Sequence, residues 1–306
     1  MRHTIKPSIK PSQHLTAKLF ATVQHLIPQQ TLSKVAGQLA SSRHAMLKKV
    51  LIHGFANAYD IELDEYQRQS LSQYDSFNDF FTRELTQDAR PIDDSTDGIA
   101  CPADGVVSAL GHMNKQQILQ AKGRDYSVAQ LLANLDDGQY FADGSFATVY
   151  LAPSNYHRVH MPLNGRLLKT RYVPGTLFSV NDATAQNVPD VFARNERLVC
   201  VFETTFAHGQ TGRFAVVMVG AMIVAGIETV ATGKIVRSNH VQELNHDIML
   251  NKGDELGRFY LGSTAIVLMP KQAGVVWQAD IHQGSVVKMG QKMGAKLKSP
   301  STPSAP

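Results

Sequence analysis

The sequence predicts an α+β protein with its helices first and its sheets after, and three observations carry that expectation. Its 306 residues are 43% hydrophobic and 18% charged, a balance that suits a folded chain with a substantial core and no need of disulfide staples. Apolar residues recur at helical spacing through the first sixty positions. From about residue 95 onward, short Val-, Ile- and Phe-rich runs alternate with Gly, Pro, Asn and Asp, as strands joined by turns do.

Leu15, Leu19, Val23, Leu26 and Ile27 predict a helix over 14–27, ended by Pro28. Leu32, Val35, Ala36 and Leu39 predict a second, and Met46, Leu47, Val50, Leu51 and Phe55 a third. A short helical stretch follows over 76–85, with Arg90-Pro91 at its exit. Strands are expected at 146–151, 198–203, 214–219, 265–269 and 275–281. The run 214–227 reads as paired core strands around two glycines and is too short to cross a bilayer. One helix interrupts the strands, where Ser127 and Gln130 offer a capping box before Leu131 and Leu132.

Two short internal matches appear. Gly253-Asp-Glu-Leu-Gly257 is echoed by Gly290-Gln-Lys-Met-Gly294 at an offset of 37, and Pro102-Ala-Asp-Gly105 by Pro162-Leu-Asn-Gly165 at an offset of 60. Duplicated glycine turns between short strands resemble the barrel-sandwich hybrid architecture. The expected organisation is a helical region over 1–95, a β-rich domain over 96–298, and a disordered Ser/Pro tail over 299–306.

Charge is unevenly placed. The net charge is +4, yet the first acidic residue is Asp60, and the preceding segment carries Arg2, Lys6, Lys10, Lys18, Lys34, Arg43, Lys48 and Lys49. A basic arm on a mildly acidic body suits an anionic surface. With only Phe20, Phe55 and Tyr59 the arm lacks a stacking platform, which speaks against nucleic acid. Basic amphipathic helices fit a membrane interface, and equally fit packing on the main domain. No secretory signal pattern precedes them. Cys101 and Cys200 lack CxxC spacing, so a reduced cytosolic setting is expected and neither is assigned chemistry.

Three segments hold residues capable of chemistry. Asp104 lies in an Asp-Gly turn. His157 and His160 are three apart, so on a regular strand they face opposite sides, and Pro153-Ser154-Asn155 supplies a turn that changes this. No Cys or Glu follows at zinc-ligand spacing, and no metal is expected. Gly262-Ser263 stands at the entrance of the strand 265–269, where glycine reaches backbone angles closed to other residues. A serine, a histidine to take its proton and an aspartate to orient the histidine are the parts of a Ser-His-Asp system, although the hydrolase elbow Gly-x-Ser-x-Gly is absent.

Six segments, in order, resemble the phosphatidylserine decarboxylase family of the bacterial proenzyme type. They are Phe80-Phe-Thr-Arg-Glu-Leu85, Pro102-Ala-Asp-Gly-Val106, Tyr156-His-Arg-Val-His-Met-Pro162, Val173-Pro-Gly-Thr-Leu-Phe-Ser-Val-Asn181, Gly220-Ala-Met-Ile-Val-Ala-Gly226 and Gly257-Arg-Phe-Tyr-Leu-Gly-Ser-Thr264. Leu-Gly-Ser-Thr near the carboxyl end is the specific mark. The resemblance implies a pyruvoyl-dependent carboxy-lyase that cleaves itself between Gly262 and Ser263 and makes a covalent pyruvoyl group from Ser263. It then converts phosphatidylserine to phosphatidylethanolamine through a Schiff base. By position His160 resembles the base and Asp104 its orienting partner, with His157 positioning substrate and returning a proton to the carbanion. The fragments 1–262 and 263–306 are expected to stay associated, on an anionic membrane surface at the cytoplasmic face of the cell membrane; homo-oligomerisation is left open. Two rivals are a pyruvoyl decarboxylase for a soluble amino acid, which leaves the basic arm unexplained, and a non-enzymatic lipid-surface or phosphotransfer module, which would stay one chain.

Overall fold

The computed structural model describes residues 29–121, 124–206, 209–222, 226–260 and 262–297. The expected helix over 14–27 and the tail from 299 lie outside the described residues. Two helices, Gln29–Ala40 and Ala45–Tyr59, match the second and third periodic patterns. Ala45–Tyr59 turns Ile52 and Ala56 onto an aromatic cluster of Tyr74, Phe77, Phe80 and Phe81. Its end is set by Asp60, in the left-handed region at φ 51°. The stretch expected over 76–85 is helical only from Phe77 to Phe81, capped by Ser76 Oγ accepting from the Asp79 N–H. Ser127 likewise caps Val128–Leu132.

Seventeen strands follow among the described residues. They begin with β1 (Gly98–Ala100), β2 (Gly105–His112), the hairpin β3 (Gln117–Ala121) and β4 (Arg124–Ser127), β5 (Ser145–Leu151), β6 (Arg158–His160) and β7 (Gly165–Val173). Next come β8 (Arg197–Thr205), β9 (Thr211–Gly220), β10 (Gly226–Thr229), β11 (Gly233–Lys234) and β12 (Gln242–Leu250). The last are β13 (Glu255–Tyr260), β14 (Ser263–Met269), β15 (Val276–Trp277), β16 (Val286–Val287) and β17 (Lys292–Ala295). Eight of them form an antiparallel sheet in the order β12-β7-β8-β9-β14-β5-β2-β16. Smaller sheets, β11-β10-β13-β6 and β1-β17-β15, accompany it. The large sheet has free ends at β12 and β16, so the architecture is α+β without a closed barrel among the described residues.

Both faces of the large sheet are buried at its central strands. Alternate residues of β8, β9 and β14 enter two different clusters: Val199, Val217 and Ile266 one, Cys200, Met218 and Val267 the other. The run 214–227 contains two strands, but they are not paired with each other. Strand β9 lies in the large sheet and β10 in a small one, and their sequence continuity as an apolar run reflects a shared core, with Met218 and Ile227 in one cluster. Of 275–281 only Val276–Trp277 is strand. Strand β12 carried no apolar alternation because it is an edge strand, mostly exposed.

The internal matches mark a pseudo-two-fold axis. Strand β1 pairs β17 with Gly98, Ile99 and Ala100 opposite Ala295, Gly294 and Lys292; β6 pairs β13 with Arg158, Val159 and His160 opposite Arg258, Gly257 and Glu255, with the bulge at the same place. Ala100 donates its N–H to Pro162 O at 3.0 Å, and His160 donates to Pro102 O at 2.7 Å. Gly290 N–H bonds Cys101 O as Gly253 N–H bonds Met161 O. Each partner of one set is 60 or 37 residues from its counterpart in the other.

Candidate active site

Three connections join the large sheet and the sheet of β6, β13 and β10: β5 to β6, β9 to β10, and β13 to β14. At the large sheet Ser263 lies between Leu151 of β5 and Gly220 of β9. At the small sheet Tyr260 faces Gly226, and Phe259 donates its N–H to His157 O at 3.0 Å. Gly262-Ser263 therefore belongs to the middle connection of the three, since β14 lies between β9 and β5 and β13 between β10 and β6.

Gly262 has φ +57°, in the left-handed region. A Cβ there would meet nothing closer than Ala221 Cβ at 3.7 Å, so backbone conformation, not crowding, calls for glycine. The next residue, Ser263, is fully buried and its Oγ has no hydrogen-bond partner. Leaving a buried hydroxyl unpaired costs about 1–3 kcal/mol, a cost that the fold bears directly after the left-handed Gly262.

The His157 ring is fully buried against Phe81, with centroids 4.0 Å apart. Nδ1 faces the Asn155 carbonyl at 2.8 Å and so carries the proton, which leaves Nε2 a basic lone pair without a partner. Burial pushes this imidazole down to about 3. His160 is placed differently: Nδ1 faces Gly253 O at 2.8 Å and Nε2 accepts from the Tyr156 hydroxyl at 2.9 Å. Burial lowers it as well, so both rings are neutral at pH 7.

Asp104 is buried, but its carboxylate is not hydrogen-bonded to His160. It accepts from Arg90 Nη2 at 2.7 Å and Nε at 3.1 Å, from the Met289 N–H at 2.8 Å, and from Lys288 Nζ at 3.4 Å. The direct orienting acceptor of His160 is the Gly253 carbonyl; Asp104 is tied to His160 by the 102–104 turn, whose Pro102 O takes the His160 N–H, and by the attraction of its negative charge for the imidazolium. Arg90 also holds Glu65 at 2.7 Å. Arg90, Gly253 and Tyr156 carried no chemical assignment in the sequence, Arg90-Pro91 being read as punctuation; a basic residue before proline gives no hint of a buried carboxylate 14 positions on. Cys101 and Cys200 are buried thiols raised to about 12 by burial.

The model of the phosphatidylserine decarboxylase family matches residues 77–295, and a second model, PSD, matches residues 19–60. The chain is 66% identical over 273 residues to the phosphatidylserine decarboxylase proenzyme of Psychrobacter arcticus, covering 89% of this chain and 97% of that one. It is 65% identical to the Psychrobacter cryohalolentis proenzyme of the same name over 277 residues, 90% of this chain and 98% of the relative. With that of Acinetobacter baumannii strain AYE it shares 49% identity over 286 residues, 94% and 99% of the two. On this likeness, which takes in all three connections, the chain belongs to the phosphatidylserine decarboxylase family and is a decarboxylase, a carboxy-lyase.

Proposed function

We propose that this decarboxylase matures by cutting its own chain between Gly262 and Ser263 and then converts phosphatidylserine to phosphatidylethanolamine at the pyruvoyl group left at position 263. The observation that supports it most is the buried, partnerless Ser263 Oγ directly after a left-handed Gly262. The hydroxyl attacks the Gly262 carbonyl carbon, and the C–N bond gives way to an ester. Loss of the Ser263 Cα proton expels the Gly262 carboxylate as the end of fragment 1–262, and water then replaces the nitrogen, which leaves as ammonia. Once formed, the group supplies an electrophilic ketone for the substrate amine and a sink for the electron pair released with CO₂. No ordinary side chain offers such a carbonyl. Fragments 1–262 and 263–306 stay associated because β14 is hydrogen-bonded on both sides, to β5 and to β9.

His160 serves as base for maturation, its Tyr156 hydrogen bond being exchanged for Ser263, and Asp104 supports it through the 102–104 turn. His157 positions substrate and returns a proton to the carbanion. A second reading rests on one observation: the unengaged lone pair belongs to His157, which makes it the base instead. Processing separates the two. Under the first, His160→Ala accumulates full-length chain while His157→Ala cleaves and turns over roughly 10² to 10⁴-fold more slowly; the second expects the reverse.

Substrate with two fatty chains stays in the bilayer, so the enzyme works peripherally, on the cytoplasmic face of the cell membrane. Leu32, Val35 and Leu39 on Gln29–Ala40, and Met46 and Val50 on Ala45–Tyr59, are exposed apolar side chains at helical spacing that support this. No described helix is long and apolar enough to cross a membrane. The basic arm adds about 1 kcal/mol per cation near anionic lipid. Lys48 is already committed to the Tyr74 carbonyl at 2.7 Å. Removing residues 1–30 is expected to reduce vesicle binding and bilayer activity more than activity on detergent-dispersed substrate; equal losses would indicate a folding role.

The test of the reading as a whole is intact mass and activity. The wild-type protein is expected to give two fragments, the smaller with a blocked amino terminus, and to release CO₂ from phosphatidylserine. Ser263→Ala should remain one inactive chain, and cleavage of that variant at the same bond would falsify the proposal.

A further inference from the structure

Arg83 departs from the pattern set by the other buried arginines. Arg90, Arg158 and Arg171 face carboxylates, and Arg197 is held by three backbone carbonyls. Arg83 is only 2% exposed and has no carboxylate partner. Its Nη2 donates to Ser154 O at 2.9 Å, its guanidinium lies over the Tyr66 ring at 4.4 Å, and Nε and Nη1 have no hydrogen-bond partner. A buried, permanently charged group left in this way is costly, and the cost is recovered when an anion arrives.

Arg83 lines a cavity of about 180 Å³ together with Tyr66, Arg90, Asp104, Tyr156 and Lys288. Ser154 and Asn155 form part of its wall, so the cavity lies against the same 152–157 connection that flanks Ser263. Asp104 is already matched by Arg90, which leaves the Arg83 charge unbalanced on the floor. Asp60, Glu62, Asp64 and Glu65 sit at the exposed rim. A free dianion meets repulsion at that mouth, whereas the phosphatidylserine headgroup, whose ammonium offsets one of its two oxyanions, carries a single net negative charge and meets less.

We propose that Arg83 binds the phosphate of the phospholipid headgroup, an inference that rests on the phosphatidylserine reading above. The substrate offers two oxyanions, and the chemistry favours the phosphate. A cation on the departing carboxylate would stabilise the ground state and lose its partner as CO₂ leaves. The phosphate keeps its charge throughout, so holding it lowers KM without opposing the chemical step.

The test compares mature wild-type enzyme with Arg83→Gln on detergent-dispersed phosphatidylserine, with glycerophosphoethanolamine, L-serine and inorganic phosphate as competitors. KM is expected to rise roughly 10- to 100-fold with kcat little changed. Glycerophosphoethanolamine should inhibit the wild type and lose that inhibition in the variant, while inorganic phosphate competes poorly with both. An unchanged KM overturns the proposal, and so does a variant that loses inhibition by serine but keeps it by glycerophosphoethanolamine. If Arg83→Gln does not mature, the Ser263→Ala chain, which needs no cleavage, replaces it: ³¹P line broadening of glycerophosphoethanolamine should disappear in the Ser263→Ala/Arg83→Gln double variant, and equal broadening overturns the site. A wild-type protein that does not decarboxylate phosphatidylserine would instead overturn the reading beneath.

Discussion

The two halves related by the pseudo-two-fold share a backbone and differ in what they hang on it. In one half Asp104 Oδ1 accepts the Met289 N–H at 2.8 Å; in the other Asn164 Oδ1 accepts the Lys252 N–H at 2.7 Å. Gly105 faces Val287 where Gly165 faces Leu250. The turn therefore needs a side-chain oxygen and no charge. The charge at Asp104 answers to something else, namely the buried Arg90, for which Asn164 has no counterpart. Likewise β6 and the residue before it carry His157 and His160 where the β1 half has Asp97 and Ala100. The chemical residues are thus divided between the two copies, the buried carboxylate in the β1 half and the two histidines in the β6 half.

The most direct way to break this comparison is to exchange the two polar turn residues. Asp104→Asn keeps the turn, as Asn164 demonstrates, but strips Arg90 of its buried partner. We expect a loss of about 3 kcal/mol, moderated by Glu65, and self-cleavage slower by roughly 10² to 10⁴-fold. Asn164→Asp, at an exposed position, should change stability by no more than about 0.5 kcal/mol and leave cleavage untouched. Urea unfolding and a time course of intact mass measure both, and similar penalties in the two variants would show that the halves are not functionally divided.

A second expectation concerns the pH sensitivity that His157 gives the histidine half. The unfolded imidazole of His157 takes a proton near its ordinary 6.5, whereas the folded one resists until about 3. Between these values the unfolded chain binds more protons, so stability is complete above pH 6.5 and falls as pH falls. The loss from pH 6.5 to 5 should be about 2 kcal/mol from this group. In the Ser263→Ala chain, His157→Gln should flatten the dependence of the urea midpoint over that range, and an unchanged slope would remove His157 from the account.

How far this division was legible in the sequence depended on the signal. Gly262-Ser263, the two histidines and Asp104 stood out as residue types in turn contexts, and the offsets of 37 and 60 pointed to both halves of the fold. The strands with an apolar face or core, β5, β8, β9 and β14, were legible from composition. Strands β7 and β12 were not, because Lys169, Arg171 and Glu243 interrupt the apolar pattern to ion-pair across neighbouring strands. Pairings that depend on distant contacts were invisible for the same reason: the Arg90 carboxylate partner, the Gly253 carbonyl on His160 and the Tyr156 hydroxyl on its other nitrogen are products of tertiary packing, and no local spacing encodes them.

The finest division between the halves lies in the paired glycines. Gly253 and Gly290 occupy equivalent turns at φ +89° and +84°, and both close on Ile92. An alanine Cβ at 253 would lie 3.0 Å from Ile92 Cγ1, a side chain able to shift; at 290 it would lie 2.8 Å from the Pro91 carbonyl oxygen, which is backbone, and 2.6 Å from Ile92 Cδ1. Gly290→Ala should accordingly destabilise more, about 3 kcal/mol against about 1–2 for Gly253→Ala. Function should rank them the other way. The Gly253 carbonyl holds His160 Nδ1, so Gly253→Ala displaces that ring and slows self-cleavage several-fold, whereas the equivalent Gly290 faces no histidine and its folded alanine variant should cleave at the wild-type rate. Thermal melting and the cleavage time course, run on the same two proteins, give the two rankings independently. If the less stable variant is also the slower to cleave, His160 is governed by overall stability and the Gly253 carbonyl has no special hold on it.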